Sequence, residues 1–357
     1  MVKTFKELFE ERIGKAINKE NIKFLKKDDD RFVEIDDVQK MNRYHDALGR
    51  FTWAPTHAAH GSGGGTSASQ SSGGSASKNS VSGEPVKNPI SKPSELKKYE
   101  ELNSESEKLS EIDRGIDYVE RNSSTQMPKA VERKMFDADK VIEETNCTPK
   151  EAERAHELAT SLYEDAVASE PKITKALVDV AKENGGEMYG LAFRLKDETS
   201  LSRKIISDSK EKGSYEDAAK DIKDAVRYTM VFDDDRLASG YKNVSEALEK
   251  AGFTEMRCKN YWAQYDNGGA PIKSVQCVFT SPNGQTFELQ FHTYRSQGAK
   301  ELCHPMYEKW REEGTSEQKK NELNTRMTEC YSFVSNPKGV SEVNEFDAYK
   351  GKPKKRN

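Results

Sequence analysis

The chain has 357 residues, 34% of them hydrophobic and 33% charged, with a formal net charge of -4 at pH 7. That length could hold two domains, but a mean hydropathy of -0.92 is polar for a compact protein and points to substantial exposed helix or disorder. The balanced charge excludes a globally basic nucleic-acid binder, and no apolar run approaches the roughly 20 residues of a transmembrane helix. Five cysteines (Cys147, Cys258, Cys277, Cys303, Cys330) are widely spaced and odd in number. They read as reduced thiols of a cytoplasmic protein, not as a disulfide frame or a zinc site. Cys303 and His304 are adjacent, a spacing poorly suited to joint chelation.

Residues 1–60 form a small N-terminal arm. Phe5, Leu8, Phe9, Ile13 and Ile17 give it one amphipathic helix, too charged for a signal peptide. Residues 61–93 are rich in glycine and serine and read as a flexible linker. From 94 to 185 the pattern is helical. Leu102, Leu109 and Ile116 recur every seven residues, as do Ile112 and Val119, a seam for a neighbouring helix. Thr148, Pro149 and Glu151 open a helix with a capping box. A second helix over "EPKITKALVDVAKENGG" stops at Gly185 and Gly186.

Beyond 185 strands and helices alternate, an α+β domain with a mixed sheet flanked by helices over 186–335. "MYGLAFRLK" reads as a strand, "SLSRKIISDSKEKG" as a helix and "DAVRYTMVFDDD" as a strand. "GYKNVSEALEKAGF" follows as a helix, then "EMRCKNYWAQ", "IKSVQCVFTS" and "QTFELQFHT" as strands, the last two joined by a tight turn at "PNG". "SQGAKELCHPMYEKWREEG" is a helix that Pro305 is placed to kink. The basic end, within 336–357, reads as a disordered tail.

Three stretches carry candidate chemistry. Arg194 and Lys196, two apart at a strand end, share a face; Ser200 starts the next helix and Lys204 lies one turn in. Helix N–H donors beside such exposed cations make a phosphate cradle, and also an ordinary solvated loop. Asp221 and Asp224 precede the strand bearing Arg227. An acid there, across the sheet from Glu288, suits a magnesium ion bridging phosphates; a helix-capping aspartate gives the same pattern. In "FELQFHT", Phe287, Leu289 and Phe291 alternate with Glu288, Gln290 and His292. The polar face fits chemistry or plain solvation, and His292 fits an acceptor contact or a hydrogen-bonded strand histidine.

Taken in order, these motifs resemble the synthetase domain of RelA/SpoT-type alarmone synthetases over roughly residues 170–312. That family carries R-x-K followed by a serine and a second lysine at the intervals of Arg194, Lys196, Ser200 and Lys204. "DIKDAVR" resembles its acid-then-arginine strand, "KNYW" (from Lys259) its K-D-Y-I strand, and Glu288, Gln290 and Thr293 its E-x-Q-x-x-T strand. His304 and Tyr307 match its following helix. The resemblance implies a nucleotidyltransferase-like fold and Mg²⁺-dependent transfer of pyrophosphate, or a nucleotidyl group, from ATP to a nucleotide or RNA acceptor. It implies that Arg194, Lys196, Ser200 and Lys204 hold ATP phosphates. Asp224 (or Asp221) and Glu288 would bind metal, Glu288 also serving as base. Arg227 and Lys259 would position acceptor phosphates, with Tyr261, Gln290, His292 and His304 as further acceptor contacts. The chain departs from the pattern at two positions: Ile222 stands where the family has its magnesium aspartate, and Ile272, in "GGAPIKS", where it has the tyrosine that stacks on the acceptor base.

"RYHDALGRFTWAP" before the linker resembles segments of phage and mobile-element head-morphogenesis proteins. It implies a toxin or mobile-element effector acting in a host cytoplasm, with a capsid or mobile-element partner for the arm. Two rivals stand beside the enzyme: a virion-associated structural protein with an altered RelA/SpoT-like domain, and a nucleic-acid adaptor working through "KGKPKKRN".

Overall fold

In the computed structural model, residues 88–312, 314–352 and 354 are described. The arm and residues 61–87 of the linker lie outside them. The linker's last residues, 88–93, pack against the first helix, where Arg121 donates to the Ile90 carbonyl (2.8 Å) and Ile90 is buried.

Helices α1 (Glu105–Arg121), α2 (Ala138–Thr145) and α3 (Pro149–Glu183) lead the described chain. Ser104 with Glu107, and Thr148 with Glu151, close reciprocal capping boxes, so two helix starts stand where side-chain acceptors meet orphan N–H groups. The two helices expected between 148 and 186 are a single one. Pro171 lies inside α3, and the carbonyl its missing N–H leaves free belongs to the exposed Val167, on the solvent side of the helix. α3 ends in a Schellman turn: Gly185 adopts φ 68 and Gly186 N–H bonds to the Ala181 carbonyl (2.9 Å).

There follow β2 (Glu187–Tyr189), α4 (Glu198–Lys212), α5 (Tyr215–Asp221), β3 (Arg227–Phe232), α6 (Leu237–Lys250), β4 (Thr254–Asn260) and α7 (Tyr261–Asp266). The chain closes with β5 (Val275–Thr280), β6 (Thr286–Thr293), α8 (Tyr294–Arg311), α9 (Glu317–Ser332) and β7 (Phe346–Asp347); the short β1 (Ser123–Ser124) precedes them all. The seven strands form one mixed sheet in the order β1-β2-β3-β6-β5-β4-β7. β3 and β6 are parallel; β5 is antiparallel to both β4 and β6. The protein is thus an α+β fold with an open mixed sheet flanked by helices.

One sheet face is dry. Tyr228, Phe279, Phe287, Leu289 and Phe291 are all buried there, under α3, whose Thr174 meets the Tyr228 hydroxyl (2.8 Å), and α6, whose Tyr241 stands edge-on to Phe291. The opposite face is polar and partly covered by α8. α1 lies outside α8, and their backbones meet at two glycines: a Cβ on Gly115 would stand 2.8 Å from the Gly298 carbonyl oxygen. The helical segment before 185 therefore shares a core with the sheet.

Several local expectations give way. The strand predicted over "MYGLAFRLK" ends at Tyr189; a left-handed Gly190 and a 3-10 turn over Leu191–Phe193 follow. Of the strand predicted over "EMRCKNYWAQ", the "YWAQ" end is α7, capped by Asn260. Pro305 leaves α8 continuous, because it sits on the exposed side. The tail expected to be disordered supplies β7, paired to β4, and Lys354, ion-paired to Glu255 (2.8 Å). The Lys354 charge is spent on partners inside this chain, Glu255 and Glu249.

Candidate active site

The register of β3, β6, β5 and β4 builds the polar face. Arg227 lies beside Glu288, Glu288 beside Val278, and Val278 beside Arg257. Two residues further along, Thr229, Gln290, Gln276 and Lys259 form the next row. Alternation puts both rows on one face.

Glu288 is half-buried, and its Oε2 accepts from the Gln290 amide (2.7 Å). The amide oxygen of Gln290 accepts in turn from Lys300 Nζ on α8 (2.7 Å). A lysine has donors only, so it fixes which way the Gln290 amide points and hence which end faces Glu288. Burial pushes the Lys300 ammonium below its usual range, while Glu301 and Glu288 pull it back up.

A second charged group sits before β3. Lys196 Nζ meets Asp224 Oδ2 at 2.8 Å, and Lys204 Nζ lies 3.7 Å from Asp224 Oδ1 and 3.8 Å from Asp208. Among the described residues, Asp224 Oδ1 is buried without a hydrogen-bond donor. Burial pushes the Asp224 carboxyl up, yet Lys196 and Lys204 outweigh it and hold it below the usual carboxylate range. Lys196 is pushed down by burial, against the pull of Asp224. Arg227 pairs with Glu288 across β3 and β6 and follows Asp224 by three residues, so it lies between the two groups.

Arg194 is not in this cluster. Its guanidinium is buried against the Glu170 carboxylate of α3 and donates to the Leu191 (2.6 Å) and Lys129 (2.9 Å) carbonyls. The shared-face expectation assumed extended backbone, and Arg194 is helical (φ -68, ψ -23). Lys196, expected to be exposed, is 9% exposed. The Ser200 N–H is already bonded to Asp197 Oδ1 (2.8 Å), the cap of α4, so the chain's own carboxylate occupies that helix N-terminus. Asp221 lies outside the cluster, tied to Lys212 (2.7 Å) and Lys223 (3.7 Å).

On the acceptor side, the Lys259 ammonium lies 5.9 Å from the Tyr261 ring centroid. Burial raises the Tyr261 phenol, and Glu288 raises it further. Trp262 is fully buried and Tyr265 is taken by Lys273 (4.4 Å), so of the aromatic residues in this segment Tyr261 is the one turned toward Glu288. His292 is 2% exposed, with Nδ1 on the Ser296 hydroxyl (2.9 Å), and burial drives its pKa well down. It is a neutral interior histidine, withdrawn from any acceptor. His304 is solvent-facing on α8, 4.0 Å from Glu308. Ile222 is in the core, and Ile272 packs against it.

Sequence reasoning missed Lys300, Asp208 and Phe193. The first two carry no local signal beyond being charged helix residues. Phe193 is 62% exposed, and with Val131, Tyr163, Leu195 and Arg227 it lines a cleft of about 70 Å³. The exposure of this ring and its place beside Arg227 are set by the turn after Gly190, and reading "LAF" as a strand left no sign of either.

No family model matches the chain, and no curated protein matches it. Its structure is similar to a chain in the crystal structure of the complex between the Type VI effector Tas1 and its immunity protein. The match covers 55% of this chain and 100% of that one, at 15% identity and a TM-score of 0.31. A likeness so slight transfers neither activity nor site residues. Among the described residues no helix is long and apolar enough to cross a membrane.

Proposed function

We propose that the protein is a RelA/SpoT-like transferase that moves pyrophosphate, or a nucleotidyl group, from ATP to a nucleotide or RNA acceptor with Mg²⁺. The observation that carries this reading is the pairing of two charged groups, Lys196–Asp224–Lys204 and Glu288–Gln290–Lys300, through Arg227 on one polar sheet face. Lys196 and Lys204 hold ATP phosphates, with Ser200 at the start of the same helix, and Arg227 neutralises charge that develops on the transferred group. Glu288 takes the proton of the attacking hydroxyl, oriented by Gln290. Lys259 and Tyr261 face the acceptor, and His304 lies at the rim. The exposed Phe193 ring offers a stacking surface for a base.

Mg²⁺ would be held by Asp224 and Glu288, and when bound it supplies positive charge to the phosphates. The buried Asp224 Oδ1, which accepts no hydrogen bond, supports this assignment; Asp221 is more exposed and lies outside the cluster. The mobile-element resemblance of the N-terminal segment favours a toxin or effector role, with the arm as the partner-binding part.

A second reading, an altered domain serving as a virion-associated protein, is favoured by the burial of Arg194 and Ile222 and by Ile272 in the acceptor region. One experiment separates the two. Incubation with labelled ATP, Mg²⁺ and a panel of GDP, GTP, ADP and tRNA should release AMP (pyrophosphate transferred) or pyrophosphate (nucleotidyl group transferred) with at least one acceptor. Folded protein that releases neither with any of them favours the second reading.

A further inference from the structure

On the dry face a carboxylate stands where alternation alone would not put one. In β4, Glu255 pairs with Phe279, Arg257 with Val278 and Cys258 with Cys277, so the register slips by one residue between Glu255 and Arg257. That bulge brings Glu255 and Cys258, three apart in sequence, to the same face. Cys277 lies directly across from Cys258. The Glu255 side chain is 0% exposed, and Cys258 and Cys277 are 1% and 0% exposed. One carboxylate oxygen and the two sulfurs lie within 4.8 Å of one another. From α6, the Tyr241 hydroxyl donates to Glu255 Oε1 (3.1 Å) and also faces Cys258.

We propose that Glu255, Cys258 and Cys277 form a site for a thiophilic divalent cation, zinc in the first instance, with the Tyr241 hydroxyl beside the fourth position. Two sulfurs and an oxygen suit a tetrahedral zinc-type ion and not magnesium or calcium, which take oxygen ligands. The outer shell fits as well. Glu255 Oε2 is held by Ser245 Oγ (2.5 Å) and Lys354 Nζ (2.8 Å) and Oε1 by the Tyr241 hydroxyl (3.1 Å), so the carboxylate beside the two sulfurs is fixed in orientation. Charge also balances. Both thiol protons leave to solvent on binding, two thiolates and a carboxylate then exceed a divalent cation by one negative charge, and the Lys354 ammonium supplies the missing positive one. The expectation of five unengaged thiols missed this because it looked for CxxC spacing, and here a bulge and a strand pairing do what a short motif does elsewhere. The ion would be enclosed as the chain folds. The site is independent of the transferase reading.

The test uses the full chain, unfolded under reducing conditions and refolded with Zn²⁺, with Co²⁺ or with a chelator. About one tightly held zinc per chain is expected after dialysis, with a thiolate-to-cobalt charge-transfer absorption in the Co²⁺ sample and a higher Tm with metal than with chelator. Cys258→Ser and Cys277→Ser should each lose the absorption, while Cys303→Ser and Cys330→Ser keep it. Because the wild-type spectrum is informative by itself, a variant that fails to fold does not blunt the test. Refolded wild type without the cobalt absorption overturns the proposal. So does binding unchanged in the Cys258→Ser/Cys277→Ser double variant, which would mark an adventitious ion only.

Discussion

Lys196 and Arg194 carry like charges two residues apart and are buried against different carboxylates, which sets what their removal does. Arg194→Met leaves Glu170 buried without its cation; a loss of about 3–5 kcal/mol is expected in chemical denaturation. Lys196→Met should reduce AMP release by about two orders of magnitude and also cost stability, since it strands Asp224. Asp224 is held low, so its stabilisation is present above the unfolded carboxylate value and is lost as pH falls through the lower folded one. Adding Asp224→Asn to Lys196→Met should therefore return part of the lost stability; strict additivity would show that the two do not interact. Glu288→Gln should abolish AMP release while moving stability by less than about 0.5 kcal/mol. Leu289→Ala, on the opposite face at 0% exposure, should cost about 2–5 kcal/mol. The reverse pattern would invert the strand.

At the scale of elements, α8 brings Lys300 to Gln290, and its seat depends on the glycine crossing with α1. A Cβ on Gly298 would stand 2.8 Å from the Ile116 backbone nitrogen, which cannot move aside as a side chain does. Gly298→Ala should cost about 1–3 kcal/mol by overpacking and should lower AMP release by displacing Lys300; full activity would disconnect α8 from the site. The α9 end is held differently. Lys273 is buried between the Tyr265 and Trp262 rings and donates to the Val334 carbonyl (2.6 Å). Burial lowers its pKa to about 8, against Asp266, which raises it. The unfolded chain therefore binds that proton more tightly. The charged ammonium penalises folding in full below about pH 8, and the penalty is relieved as pH rises toward 10.5. Relative to Lys273→Met, wild-type stability should rise across that window by up to about 3 kcal/mol; a flat difference would mean the ammonium is adequately paired.

For the molecule as a whole, the described core begins at Ile90 and ends at Phe346. A chain starting at Lys87 should keep the wild-type Tm, since residues 87–357 form one unit by their own contacts. Truncation after Ser335 should not be silent. It removes β7 from the edge of β4 and takes Lys354 from the buried Glu255, so a Tm fall of several degrees is expected. An unchanged Tm would restore the reading of that end as a mere tail.

Local pattern was enough for the elements whose cause is local. The capping residues Thr148 and Glu151, the stop at Gly185 and Gly186, the "PNG" hairpin and the alternation of "FELQFHT" were legible because each is a contact between near neighbours or a strict period of two. The α+β class followed from their order. What sequence left open were the partners of buried charge. Arg194 goes to Glu170, 24 residues away, Lys300 to Gln290 across a helix-to-sheet contact, and Lys354 to Glu255, 99 residues away. No period encodes such pairs, because a desolvated charge takes whichever counter-charge packing brings within reach. The same holds for the two cysteines. Their sequence separation says nothing of a site, and only the pairing of β4 with β5, shifted by one bulged residue, sets both sulfurs beside a carboxylate.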